Sequence, residues 1–248
     1  MSAVWPDRAV ARSTYGRIRV VAFRGVLFDW RGTLVVHPTF DGWADAALRR
    51  LGRPDDATAV AARLLAVADE LDGPGVDTDA VLHRDTYHRV LAGLGLDADL
   101  VTALYEVECD PAWNVFAEDA GEVLHALKGA GLRIAVISDI HVDIRPAFAA
   151  AGLQDVVDVF TLSFEQGVQK PDPAMFERTL SALELRPHEA LMVGDRSRPD
   201  GGAVELGIAT LLLPPLEHAS DRRLHHVTAL CGVPGVSAPD RSDGSASR

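Results

Sequence analysis

Val26-Leu27-Phe28-Asp29-Trp30-Arg31-Gly32-Thr33-Leu34 is the stretch that sets the architecture. Three apolar residues lead to a carboxylate, and a Gly-Thr turn comes soon after. Such a run reads as a short strand buried on both faces, with Asp29 delivered to its carboxyl end. In open α/β sheets ligands bind at that end. A single aspartate there can equally well close the strand and cap the next turn. The stretch therefore gains meaning from its companions.

Three later stretches accompany it. Ile134-Ala135-Val136-Ile137-Ser138-Asp139 and Leu191-Met192-Val193-Gly194-Asp195 are again apolar runs of strand length that end in polar residues, and Asp200 follows the second. Between them, Gln169-Lys170-Pro171-Asp172-Pro173 puts a lysine in a proline-flanked loop ahead of a helical pattern. Lysine is scarce: Lys128 and Lys170 are its only occurrences. The four stretches supply an oxygen nucleophile, a hydroxyl, an ammonium and a pair of carboxylates. Phosphoryl transfer with Mg²⁺ needs such a set. The phosphate charge must be neutralised, its oxygens hydrogen-bonded and the nucleophile held in line.

In order and content these stretches resemble the four motifs of the haloacid dehalogenase (HAD) superfamily, across roughly residues 24 to 215. The resemblance implies an α/β fold: a doubly wound parallel sheet, Rossmann-like, with an inserted helical cap domain of the C1 type found in subfamily I. It implies a hydrolase acting on a small phosphorylated molecule with Mg²⁺ as cofactor. Asp29 takes the place of the nucleophile, able to form an aspartyl phosphate and to ligate the metal. Asp195 and Asp200 take the places of the remaining metal ligands. Two carboxylates so close would repel without a cation between them. Lys170 takes the place of the lysine that balances this charge, and Ser138 that of the hydroxyl on a phosphate oxygen. Thr33 and Asp139 stand beside these motif positions as further substrate contacts.

Arg31 departs from the pattern. The phosphatases of the family carry Asp-x-Asp-Gly-Thr, and the second Asp is their general acid/base. An arginine cannot give up a proton near neutral pH. In an extended segment, residue 31 projects to the same side as residue 29, so Arg31 is expected to lower the pKa of Asp29 and to bind phosphate. Cap residues near the hinges, His37 and Trp43 foremost, are candidate substrate contacts, and His37 is a candidate substitute acid. Three readings remain open: a phosphatase with atypical acid/base chemistry, a non-catalytic or regulatory protein that binds metal and an anionic ligand, or a hydrolase acting on a good leaving group, such as an acyl phosphate, that needs no general acid.

Composition bounds the alternatives. The chain has 248 residues and a net charge of −12, which disfavours non-specific nucleic-acid binding. Two distant cysteines, Cys109 and Cys231, make neither a disulfide framework nor a metal cluster and suit a cytoplasmic protein. No apolar run reaches membrane-span length, and no signal-like segment is apparent. No nucleic acid and no membrane are expected as partners, and the expected state is monomer or homodimer.

Along the chain, residues 1–17 read as a flexible extension. Residues 18–36 and 114–232 read as the core, 37–113 as the helical cap, and 233–248 as a disordered, Pro/Ser/Gly-rich tail. Helical periodicity in the cap predicts helices near 43–51, 56–71, 79–94 and 97–107. In the core it predicts helices at 119–128, 142–151, 173–183, 200–206 and 217–230. These alternate with strands at 132–138, 156–161, 190–194 and 208–213, as a parallel sheet requires.

Overall fold

The computed structural model describes residues 22–53 and 56–234. The predicted extension at 1–17, and the tail from residue 235 on, lie outside the described residues. Five strands form one parallel sheet in the order β3-β2-β1-β4-β5. They are β1 (Gly25–Phe28), β2 (Arg133–Ser138), β3 (Val159–Leu162), β4 (Ala190–Gly194) and β5 (Ala209–Leu212). The central strand β1 is buried throughout. Its last residue, Phe28, lies between Val136 of β2 and Val193 of β4. The residues just past these three strands therefore emerge side by side at one end of the sheet.

Alternation along each strand divides the core. Val26, Phe28, Ile134, Val136, Leu191 and Val193 pack on one face with α6 (Ala120–Gly129), α7 (Arg145–Ala150) and α10 (His225–Leu230). Leu27, Ala135, Ile137 and Met192 face the other way, against Met175, Phe176 and Leu180 of α9 (Pro173–Ala182). Both faces are covered, which is why the strands read as nearly continuous apolar runs.

Between β1 and β2 the chain builds a helical layer with its own apolar cluster. It contains α1 (Phe40–Arg50), α2 (Ala57–Leu65), α3 (Ala68–Leu71), α4 (Ala80–Gly93) and α5 (Ala98–Glu108), with a 3₁₀ turn at Val76–Thr78. Asp56, Asp79 and Asp97 cap α2, α4 and α5 by accepting N–H groups of the first turn, the usual work of an N-cap aspartate. No helix among the described residues is long and apolar enough to cross a membrane.

Several boundaries differ from the periodicity. The helix predicted over 56–71 breaks at Val67, whose φ of −118° and ψ of 13° leave the α region. The helix predicted from 142 starts at Arg145, where the Asp143 side chain accepts the Arg145 N–H and Pro146 needs no donor. Residues 201–206 form a 3₁₀ helix rather than an α-helix. A four-residue helix, α8 (Ser163–Gln166), follows β3 where none was predicted. Of the helix predicted over 217–230 only α10 is helical. The segment before it is irregular and held by side chains: Leu224 N–H donates to Asp119, and Arg222 pairs with Glu122.

Candidate active site

Asp29 leaves the end of β1 fully enclosed, 2 % exposed, with its N–H on Val193 O at 2.8 Å. The Lys170 ammonium contacts Asp29 Oδ1 and lies 2.6 Å from Asp200 Oδ1. Asp200 Oδ2 accepts the backbone N–H groups of Asp195 and Arg196 at 3.1 and 2.9 Å. Gly194 makes this possible, because a Cβ there would stand 2.3 Å from the Asp200 carboxyl carbon. Thr33 Oγ1 lies 3.2 Å from Asp195 Oδ1 and 3.5 Å from Asp29 Oδ2. Oxygen atoms of Asp29, Asp195 and Asp200 all lie within 4.8 Å of one another. Gly32 has φ +81°, and a Cβ on it would collide with Asp195 Oδ2 at 2.4 Å. A glycine here thus answers both the left-handed backbone and the space the carboxylate occupies.

Arg223, from the segment before α10, donates to the carbonyls of Gly32 and Thr33, both at 3.0 Å. Leu216 N–H also reaches Gly32 O, at 2.8 Å. The segment before α10 thus fastens the loop just after Asp29.

Burial drives the Asp29 carboxyl up to about 7, opposed by Lys170 and Arg196 and reinforced by Asp200. Burial alone would push the Lys170 ammonium down, yet Asp29, Asp200 and Asp139 outweigh it and hold the lysine above its ordinary range. Four carboxylates, Asp29, Asp139, Asp195 and Asp200, face two cations, Lys170 and Arg196. Such an excess of hard oxygen donors suits a small divalent cation, and the Asp29, Asp195 and Asp200 set fits Mg²⁺ by chemistry. Lys170→Met is expected to destabilise the protein by about 3 kcal/mol, because it leaves buried carboxylates without their partner. The loss should be smaller at about pH 5 than at about pH 8. Without the ammonium the folded state takes up protons more readily than the unfolded chain, so its stability rises as pH falls. Urea unfolding at the two pH values checks this.

A cavity of about 290 Å³ opens over Asp29. Ser138, 2 % exposed, lines it. Its hydroxyl makes only a marginal 3.5 Å contact with Asp139 O, which leaves it able to bond a ligand oxygen. Phe40, Trp43, Leu71 and Tyr87 give the cap side an apolar roof.

Several of the residues expected to act here do something else. Arg31 lines the cavity but does not sit against Asp29. The chain turns after Asp29 instead of remaining extended, with the N–H groups of Leu34 and Val35 on Trp30 O. The guanidinium contacts the Glu108 carboxylate and donates to Glu108 O at 3.1 Å and Asn114 Oδ1 at 3.0 Å. The charges that act most on Asp29 are those of Lys170, Asp200 and Arg196 rather than Arg31. Asp139 is a brace: it accepts the Lys170 N–H at 2.7 Å and pairs with Arg196 at 3.3 Å. Thr33 is buried behind the carboxylates. Trp43 offers the cavity only its ring, since its indole N–H donates to Leu104 O at 2.8 Å. His37 is exposed at the cavity rim, with Nδ1 3.0 Å from Pro38 O.

Arg196 was missed from the sequence. It lines the cavity, pairs with Asp139 of the core and Asp72 of the helical layer, and acts on Asp29. The signal was its place directly after Asp195, in the run that ends at Asp200.

Residues 23–204 match the model of the haloacid dehalogenase-like hydrolases. A ribulose-1,5-bisphosphate 5-phosphatase of Halopiger xanaduensis is 36 % identical over 118 residues, 44 % of this chain and 49 % of that protein. An (S)-2-haloacid dehalogenase of Pseudomonas is 28 % identical over 140 residues, 54 % of this chain and 59 % of that one. The chain thus spans about half the length of the curated relatives it matches. A HAD phosphatase from Thermococcus onnurineus has the same fold, with a TM-score of 0.59 at 22 % identity over 86 % of this chain and 100 % of that one.

Proposed function

The chain belongs to the haloacid dehalogenase-like hydrolases, and from that premise we propose that it hydrolyses a small phosphate ester with Mg²⁺ through a covalent intermediate on Asp29. Family membership sets it among enzymes rather than among non-catalytic binding proteins. The observation that carries the phosphatase reading is the trio Asp29, Asp195 and Asp200, within 4.8 Å of one another and joined by Lys170. A carboxylate that only had to displace halide would have no use for two further carboxylates beside it.

An Asp29 oxygen bonds to phosphorus as the ester P–O bond breaks, and water then attacks phosphorus to release phosphate and restore the carboxylate. Asp29, Asp195 and Asp200 would hold Mg²⁺, which would supply positive charge to let two anions approach. Lys170 and Arg196 balance the negative charge around Asp29, and Ser138 hydrogen-bonds a phosphate oxygen. Thr33 and the backbone N–H groups on Asp200 keep the carboxylates in place. Arg31, tied to Glu108, gives no proton to the leaving group. The favoured substrates are accordingly those whose leaving group departs as a stable anion, such as aryl or acyl phosphates. Their non-phosphate part is small and partly apolar, to match the roof. Two unpaired cysteines accord with a cytoplasmic setting.

The reading is tested by turnover of aryl and alkyl phosphates with Mg²⁺ and with a chelator. Activity is expected only with the metal, and aryl esters should be preferred. Asp195→Asn should weaken Mg²⁺ binding by about 10²-fold or more in titration calorimetry. Halide release from a 2-haloacid without metal, and no phosphate release, would overturn the proposal.

A further inference from the structure

A second group of ligand-type side chains adjoins the cavity, which Asp77 itself lines. Asp77 comes from the 3₁₀ turn Val76–Thr78, His83 from α4, and His141 from the loop after β2. Asp77 Oδ1 is 3.8 Å from His83 Nε2 and 3.5 Å from His141 Nδ1. Both histidine side chains are 1 % exposed. The rings lie face to face, centroids 3.3 Å apart and 7° from parallel. Neither His83 Nδ1 nor His141 Nδ1 has a hydrogen-bond partner. His141 Nδ1, enclosed and turned to the Asp77 carboxylate, is costly to bury unless something takes up its lone pair.

The group is held in register by Ser163. Its hydroxyl lies 2.7 Å from Asp77 O and 3.1 Å from Ile140 O, and it accepts the Ile140 N–H at 2.8 Å. The Asp77 turn and the His141 loop are thus clamped to the same side chain. His141 Nε2 faces Cys109 Sγ at 3.4 Å.

We propose that Asp77, His83 and His141 form a second metal site, for a first-row transition ion of the Zn²⁺ type. Tetrahedral Zn²⁺ with bonds near 2.0–2.1 Å holds neighbouring ligand atoms about 3.4 Å apart, close to the spacings seen around Asp77 Oδ1. The donor set of two imidazoles and one carboxylate selects against Mg²⁺, whereas the Asp29 trio, all oxygen, selects for it. Parallel lone pairs cannot both point at one ion, so capture fans the two rings apart around Asp77. His141 then binds through Nδ1 and keeps Nε2 for Cys109. Asp77 and His83 belong to the helical layer and His141 to the core, so a bound ion staples the two together over Asp29.

The test uses the full chain, freed of metal and then saturated with Mg²⁺ so that the oxygen trio is occupied. Titration calorimetry with Zn²⁺ should show one ion bound per chain, and Co²⁺ should give the visible absorption of a tetrahedral nitrogen/oxygen site without a thiolate charge-transfer band. His83→Gln and His141→Gln should each weaken Zn²⁺ by about 10²-fold or more, with circular dichroism used to check that the variants fold. Asp195→Asn should leave Zn²⁺ binding unchanged. Zn²⁺ should raise the melting temperature of the parent and not of His83→Gln. The proposal fails if the Mg²⁺-saturated parent binds no Zn²⁺, a result that needs no variant. It also fails if Zn²⁺ binding survives both histidine substitutions, or disappears with Asp195→Asn.

Discussion

Asp29→Asn is expected to remove phosphate-ester turnover by at least about 10⁴-fold, the scale on which loss of a nucleophile is felt. The amide keeps the shape of the carboxylate and lacks its nucleophilic oxygen. The variant should also fail to form an aspartyl-fluorometallate complex, because both this complex and the intermediate need an oxygen anion at residue 29. Folding should hardly change. Lys170 retains Asp200 at 2.6 Å, and one of four crowded carboxylates is relieved. Turnover that persisted in a folded Asp29→Asn variant would sink the nucleophile assignment.

Arg31→Asp has the next largest expected effect, and Glu108 sets its direction. In a HAD phosphatase this change would restore the general acid. Here it also strips a half-buried guanidinium from Glu108, whose side chain is 8 % exposed, and sets two carboxylates against each other. The single variant is expected to lose about 3–5 kcal/mol, the cost of breaking a buried pair from one side. Glu108→Gln added to it should recover most of that loss. The double variant should then gain about 10² to 10⁴-fold on alkyl phosphates, whose leaving groups need a proton, and little on p-nitrophenyl phosphate. Urea unfolding reads the first claim and steady-state kinetics the second. A gain largest on the aryl ester would mean that Arg31 acts by holding phosphate. No gain on any ester would turn attention to His37 at the rim, which His37→Ala in the parent then tests.

The sheet and most of the carboxylate site were legible because they depend on short-range patterns. A strand covered on both faces must be apolar along its length, so β1, β2 and β4 announce themselves, and Asp29, Ser138 and Asp195 are marked by standing where those runs stop. Lys170 was legible through its prolines. Features that depend on partners far along the chain were not legible. The role of Arg31 is set by Glu108, 77 residues away, and that of Arg196 by Asp139 and Asp72, 57 and 124 residues away. A turn at Trp30, rather than an extended segment, decided where Arg31 points. His83 and His141 carry no local signal of their encounter. Helix ends failed where a side chain or a proline replaced periodicity, as at Asp143 and Pro146.

The fastening of the Gly32–Thr33 loop by Leu216 and Arg223 bears on how the enzyme comes into being. Residue 29 leaves the ribosome well before its strand can be completed, because that strand is central and one neighbour, β4, begins at Ala190. Domains tend to fold as units during synthesis, and a contact spanning so much chain must wait for its far end. The turn beside Asp29 is clamped later still, once Arg223 has emerged. A chain stalled between Asp200 and Arg223 holds the whole carboxylate set and lacks the segment that sets its loop. The part of the site that is made first is therefore the last to be fastened.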